Sequence, residues 1–137
     1  MSTRVKVTKL IAAPLERVVE EVSDFTSLGA WHPAVEELTV EGAGVGAIRK
    51  YRVGDARFEE RLQDLAEDHG GYRYQQVRGP FPVEACEGYL WIGREGDATR
   101  VDWSVKLRGA ALPDLVLVPM IEGMLDAGLT AVKAALE

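Results

Sequence analysis

The residue best placed to do chemistry is Glu60, in the run Phe58-Glu59-Glu60-Arg61-Leu62. Successive side chains of a strand alternate between its faces, so Phe58, Glu60 and Leu62 share one side and Glu59 and Arg61 the other. If Leu62 faces a core, so does Glu60, and an inward carboxylate requires a partner because an unpaired charge is costly to bury. Arg49 and Arg52 on the preceding hairpin strand point to opposite faces, so only one of them can serve. Two roles follow for Glu60: a structural ion pair at a wet rim, or a cavity-lining group that contacts a ligand or acts as general acid/base. A partly dry pocket raises a carboxyl pKa towards the range useful for proton transfer, while an adjacent arginine pulls it back down.

His32 lies between Trp31 and Pro33 and offers a group that titrates near neutrality and can donate or accept. It reads either as a cap or loop contact or as a ligand contact that assists Glu60. His69 is followed by Gly70 and Gly71 and reads as an exposed turn. No Cys/His/carboxylate spacing matches a zinc motif, and neither a metal nor another cofactor is expected. Cys86 is the sole cysteine, without a thiol companion, and reads as a small buried strand residue. Gly42-Ala43-Gly44-Val45-Gly46 lacks the lysine and Ser/Thr of a phosphate loop and reads as a hairpin connection. No serine sits in a nucleophile-elbow motif, which disfavours covalent catalysis.

The elements that must position these groups follow from periodicity. Arg4 to Ile11 reads as a strand, broken by Ala12-Ala13-Pro14, with Pro14 opening a helix towards Ser23. Asp24 to Leu28 reads as a connection or a second short helix, ended by Gly29 and Pro33. A two-residue period then predicts strands at 35–41, 46–53, 57–65, 71–78, 84–92 and 99–107, separated by turns that include Gly54-Asp55 and Gly93 to Asp97. Connections this short favour an antiparallel meander, because parallel crossovers need about a dozen residues. After Pro113 comes a terminal helix whose predicted inner face is Leu115, Val118, Glu122, Leu125, Leu129, Val132 and Leu136, with Pro119 near its first turns. Gly123, Ala127, Gly128, Ala131 and Ala134 would let the sheet approach closely, and Met124 joins the candidate lining from the helix side. The fold class is therefore α+β: a curved seven-stranded antiparallel sheet around a long C-terminal helix, with two short helices after the first strand.

The 137 residues are 47% hydrophobic and 28% charged, which fits one globular domain spanning 1–137 with a real core. With 16 Lys plus Arg against 22 Asp plus Glu, a broad nucleic-acid surface is disfavoured. No run of about 18 consecutive apolar residues reads as a membrane span, and no signal-peptide core follows Arg4, Lys6 and Lys9, so the expected location is cytoplasmic. Tyr51, Tyr72, Tyr74, Tyr89, Trp91 and Trp103 are spread through the strands and supply core volume or a pocket wall.

Taken in order, Ile11-Ala12-Ala13-Pro14 with Val18, Asp24-Phe25, Trp31-His32-Pro33, Gly44 to Arg49, Glu60-Arg61-Leu62, Tyr72 with Tyr74, Gly79 to Val83, Trp103, and Gly128-Leu129 with Lys133 form a series. The chain carrying it resembles the Bet v 1-like helix-grip superfamily, in particular its bacterial polyketide cyclase/dehydrase-like and lipid-transport-like members. The resemblance implies an internal cavity between helix and sheet, and Trp31, His32, Arg49, Glu60, Tyr74 and Trp103 as pocket or entrance residues. Members of the superfamily bind or transport lipids and other hydrophobic molecules, and some catalyse cyclisation or dehydration. The leading expectation is therefore binding of a small hydrophobic or amphipathic organic ligand. A metal-independent cyclase or dehydratase acting on a polyketide-like substrate, with Glu60 as acid/base and His32 or Arg49 assisting, is the first alternative. The second is an interaction module, monomer or homodimer, with an incidental cavity.

Overall fold

Hairpins form where the two-residue period meets a residue able to take left-handed backbone, as at Gly54 (φ 59°) and Gly96 (φ 62°). The computed structural model describes residues 2–66 and 70–137, so the turn expected at His69 lies outside the described residues. Its strands are β1 (Ser2–Ile11), β2 (Glu36–Glu41), β3 (Ile48–Val53), β4 (Ala56–Leu65), β5 (Tyr72–Arg78), β6 (Ala85–Glu95) and β7 (Ala98–Arg108). They build one seven-stranded antiparallel sheet in the order β1-β7-β6-β5-β4-β3-β2. Between β1 and β2 lie α1 (Leu15–Val22), a 3-10 turn (Phe25–Ser27) and α2 (Leu28–Trp31), and the chain ends in α3 (Asp114–Leu136). This is the expected helix-grip fold.

The 3-10 turn begins at Asp24, whose side chain accepts hydrogen bonds from the Thr26 backbone N–H and hydroxyl. The helix then runs through Gly29, which was expected to end it, and stops at His32 instead. The strand spacing also predicts Gly93 as a turn residue. It lies inside β6, where a Cβ would strike the Trp91 ring, so bare backbone is needed there for packing and the turn comes later.

The inner face of α3 differs from the expected one. Leu117, Ile121, Leu125, Gly128, Leu129 and Val132 are buried, while Leu115 is 87% exposed and Glu122 faces solvent. Residues 115–121 carry no polar side chain, so in the first turns periodicity cannot choose a face; beyond Leu125 it does. Gly123 and Ala134, expected to admit the sheet, are exposed. By length and composition α3 would also suffice to cross a membrane, which a search for an uninterrupted apolar run overlooks. Here its five buried aliphatic side chains join Val5, Val7, Leu90, Ile92, Val101, Val105 and Leu107 from the sheet. Each such side chain contributes roughly 1.5–3 kcal/mol when fully buried.

Candidate functional site

Strand β4 aims Phe58, Glu60 and Leu62 inward, as its alternation requires. The two-residue turn at Gly54-Asp55 pairs Val53 with Ala56, and counting outward brings Arg49 opposite Glu60. Arg49 is thus the partner, and Arg52 turns outward to Glu36 and Glu37. The pair is not at a wet rim: Arg49 is fully buried and Glu60 is 4% exposed. Arg49 Nε donates to Glu60 Oε1 at 2.8 Å, and Tyr51 OH donates to Oε2 at 2.9 Å. Arg49 Nη1 donates to the Phe25 carbonyl at 2.9 Å and to Tyr72 OH at 3.0 Å. Nη2 has no partner. Aromatic rings wall the guanidinium, its carbon lying 4.2 Å from the Phe25 centroid and 4.8 Å from that of Tyr74.

Burial opposes the Arg49 charge, yet the oxygens of Tyr72, Glu60, Tyr51 and Tyr74 outweigh it and hold the group protonated. Burial first, and the nearby Glu60 charge second, push the Tyr51 and Tyr74 phenols well above their ordinary pKa, so both stay neutral hydrogen-bonding groups.

A second cluster lies beside the first. Trp103 Nε1 donates to Tyr74 OH at 2.9 Å, and the Trp103 ring meets Trp31 and His32 edge-on at 5.6 and 5.9 Å. His32 Nε2 lies 2.8 Å from the Met124 carbonyl of α3, and the Ala34 N–H reaches Nδ1 at 3.2 Å. A carbonyl can only accept, so Nε2 carries the proton and Nδ1 is bare. Burial lowers the His32 pKa, the Met124 bond opposing it and the Arg49 charge adding to it, which leaves the ring neutral. Gly128 makes the approach feasible, since a Cβ there would stand 2.6 Å from His32 Cδ2 and 3.1 Å from Trp103. Trp31 Nε1, also buried, has no partner among the described residues.

The sequence profile of the polyketide cyclase/dehydrase and lipid transport family matches residues 2–137. The chain belongs to that family. XoxI from Bacillus cereus is 23% identical over 98% of this chain and 95% of its own, with a TM-score of 0.88. A Thermobifida fusca protein solved by NMR is 26% identical, with coverages of 97% and 92% and a TM-score of 0.87. A norcoclaurine synthase point mutant from Thalictrum flavum, in complex with a transition-state analogue, is 17% identical, covering 99% and 94%, with a TM-score of 0.79. No curated protein matches the chain significantly. These likenesses place it in the Bet v 1-like helix-grip superfamily, whose architecture is that of hydrophobic-ligand binders.

Within this polyketide cyclase/dehydrase and lipid transport fold, Trp31, His32, Arg49, Glu60, Tyr74 and Trp103 form one continuous buried seam, and Met124 touches it through its carbonyl. Tyr51, Tyr72 and the Phe25 carbonyl complete the seam and were absent from the candidate set. The register through Gly54-Asp55 could have chosen Arg49, and Tyr51, two residues along the same face, would have followed. The Phe25 carbonyl carries no side-chain signal. The main surface depressions among the described residues, of about 150 to 500 Å³, are not lined by the candidate residues. Among the described residues no group of three or more His, Cys, Asp or Glu is arranged to hold a metal ion.

Proposed function

We infer that the chain binds a small hydrophobic or amphipathic organic molecule between α3 and the inner face of the sheet, with Arg49 as its polar anchor. The observation that carries this reading is the unpartnered Arg49 Nη2, fully buried among Phe25, Tyr51, Tyr72 and Tyr74. A buried donor left unsatisfied costs about 1–3 kcal/mol, which an acceptor oxygen on a ligand would recover. Glu60 already balances the Arg49 charge, so a neutral carbonyl or hydroxyl suits the position better than a carboxylate, which would leave a net buried charge. A norcoclaurine synthase of this fold, in complex with a transition-state analogue, supports small-molecule binding by the fold. The cage is closed around Arg49, so entry requires the grip to open.

As an enzyme, the chain would use Glu60 as acid/base, and a substrate would have to displace the Tyr51 hydroxyl from Oε2. Native mass spectrometry of copurifying ligands, followed by turnover assays on the compound found, separates the two roles. Equal binding by wild type and Glu60→Gln without turnover leaves binding alone; turnover lost in the variant makes Glu60 catalytic. Recovery of ligand-free protein that also fails to take up hydrophobic compounds would end the binding reading.

A homo-oligomeric module is the second reading, favoured by the exposed side chains of Leu112, Leu115, Val116 and Met120 around the start of α3. A stable interface would cover about 1,000 Å². A monomer by light scattering at micromolar concentration would count against it.

A further inference from the structure

The chain is acidic, with a net charge of −6, yet the outer face of its sheet gathers cations. Arg4 on β1 stands directly opposite Lys106 on β7, an opposition of like charges that destabilises a strand pair. Two strands further across, the Arg73 guanidinium carbon lies over the Tyr89 ring, 4.4 Å from its centroid. None of these three exposed cations is in an ion pair among the described residues. All three line one depression of about 440 Å³, together with Ser104, Gln63 and its one carboxylate, Glu87. That volume lies within the range of small-molecule sites. A smaller hollow shares Arg4, Tyr89 and Ser104 with it and adds Lys6 and Arg100, both paired with Asp102, which lines it too; Arg100 lies 4.5 Å from the Trp91 ring centroid.

We propose that this outer depression is a binding site for a small organic oxyanion, a phosphate ester or a polycarboxylate, held by Arg4, Arg73 and Lys106. An anion between Arg4 and Lys106 turns their repulsion into two attractive contacts, and Arg73 is already oriented by Tyr89. A base-stacking nucleic acid fits less well, because Tyr89 and Trp91 each have an arginine over the ring.

Calorimetric titration of the full chain at low ionic strength, with inorganic pyrophosphate and with citrate as probes, tests the site. Saturable binding of one or both is expected, the tighter probe deciding between phosphate and carboxylate. Arg73→Gln and Lys106→Gln should each weaken it about tenfold, the loss of one charge-assisted contact. Arg17→Gln, an exposed cation on α1, should leave it unchanged. Without anion, Lys106→Gln should melt cooperatively close to wild type, since it relieves the opposition to Arg4 and loses the attraction of Glu87 across β6, and this shows that the variant folds. Absence of saturable binding for both probes, or equal weakening by Arg17→Gln, overturns the proposal. So does binding of poly-glutamate alone, which would make the face a macromolecular surface.

Discussion

The two polar clusters of the interior are built on opposite terms. At the helix side His32 is neutral, both ring nitrogens are engaged, and Gly128 leaves no room for a methyl group. At the sheet side Arg49 is charged, the two N–H groups of its Nη2 have no acceptor among the described residues, and Glu60 balances it. The first cluster should therefore be intolerant of added atoms and the second of removed charge. Fit ties α3 to the sheet at one end, and electrostatics leaves an opening for chemistry at the other.

The largest effect should come from the sheet side. Glu60→Ala leaves the Arg49 cation buried without its carboxylate and should cost about 3–5 kcal/mol in chemical denaturation. Replacing both partners, Arg49→Met with Glu60→Leu, should recover most of that loss, because two apolar side chains remove both desolvation penalties. A double variant as unstable as Glu60→Ala would show that packing rather than charge sets the cost, and the contrast between the clusters would fail.

On the helix side, Gly128→Ala should destabilise by about 1–3 kcal/mol through overpacking against His32 and Trp103. A double-mutant cycle with His32→Ala should be strongly non-additive, since the smaller residue removes the clash. Additive costs would place the strain elsewhere.

Acidification should reveal His32 more gently. Its folded pKa lies below the unfolded value of about 6.5, so under acid conditions the unfolded chain takes up a proton that the folded chain refuses. The neutral ring's contribution is fully present above pH 6.5 and is lost as pH falls through that value towards the folded pKa. Thermal melts from pH 7.5 to 5.5 should show a larger drop in Tm for wild type than for His32→Asn, which cannot titrate. Parallel curves would mean that His32 is not coupled to folding.

How much of this was legible depended on the kind of signal. Inward Glu60 followed from strand alternation alone, and the choice of Arg49 was available in the two-residue Gly54-Asp55 turn. The inner face of α3 was not, because Leu115 to Ile121 gives no polar side by which to orient a helix, and tertiary packing chose Leu117 over Leu115. Gly128 was visible as a small residue, but its need to be small comes from His32, distant in sequence and brought near only by the fold. The Met124 and Phe25 carbonyls could not be foreseen, since every residue has one.

The smallest effect concerns Cys86, a native reporter of the sheet side. Its thiol is buried on β6, and burial, with the negative fields of Glu60 and Glu87, pushes its pKa up to about 12. At pH 8 only about one molecule in ten thousand would carry the thiolate, so a disulfide reagent should react far more slowly than with an ordinary cysteine. The reaction should then be governed by opening of the fold, and urea should accelerate it. Glu60→Gln removes one negative field and should raise the rate slightly at low denaturant, an effect readable only against the stability loss measured separately. A molecule seated beside Arg49 should slow labelling, because it closes the path by which the interior opens. If native protein without ligand reacts as fast as unfolded protein, the sheet side is already wet, Arg49 Nη2 has water as its partner, and its unsatisfied N–H groups no longer argue for a ligand at this cluster.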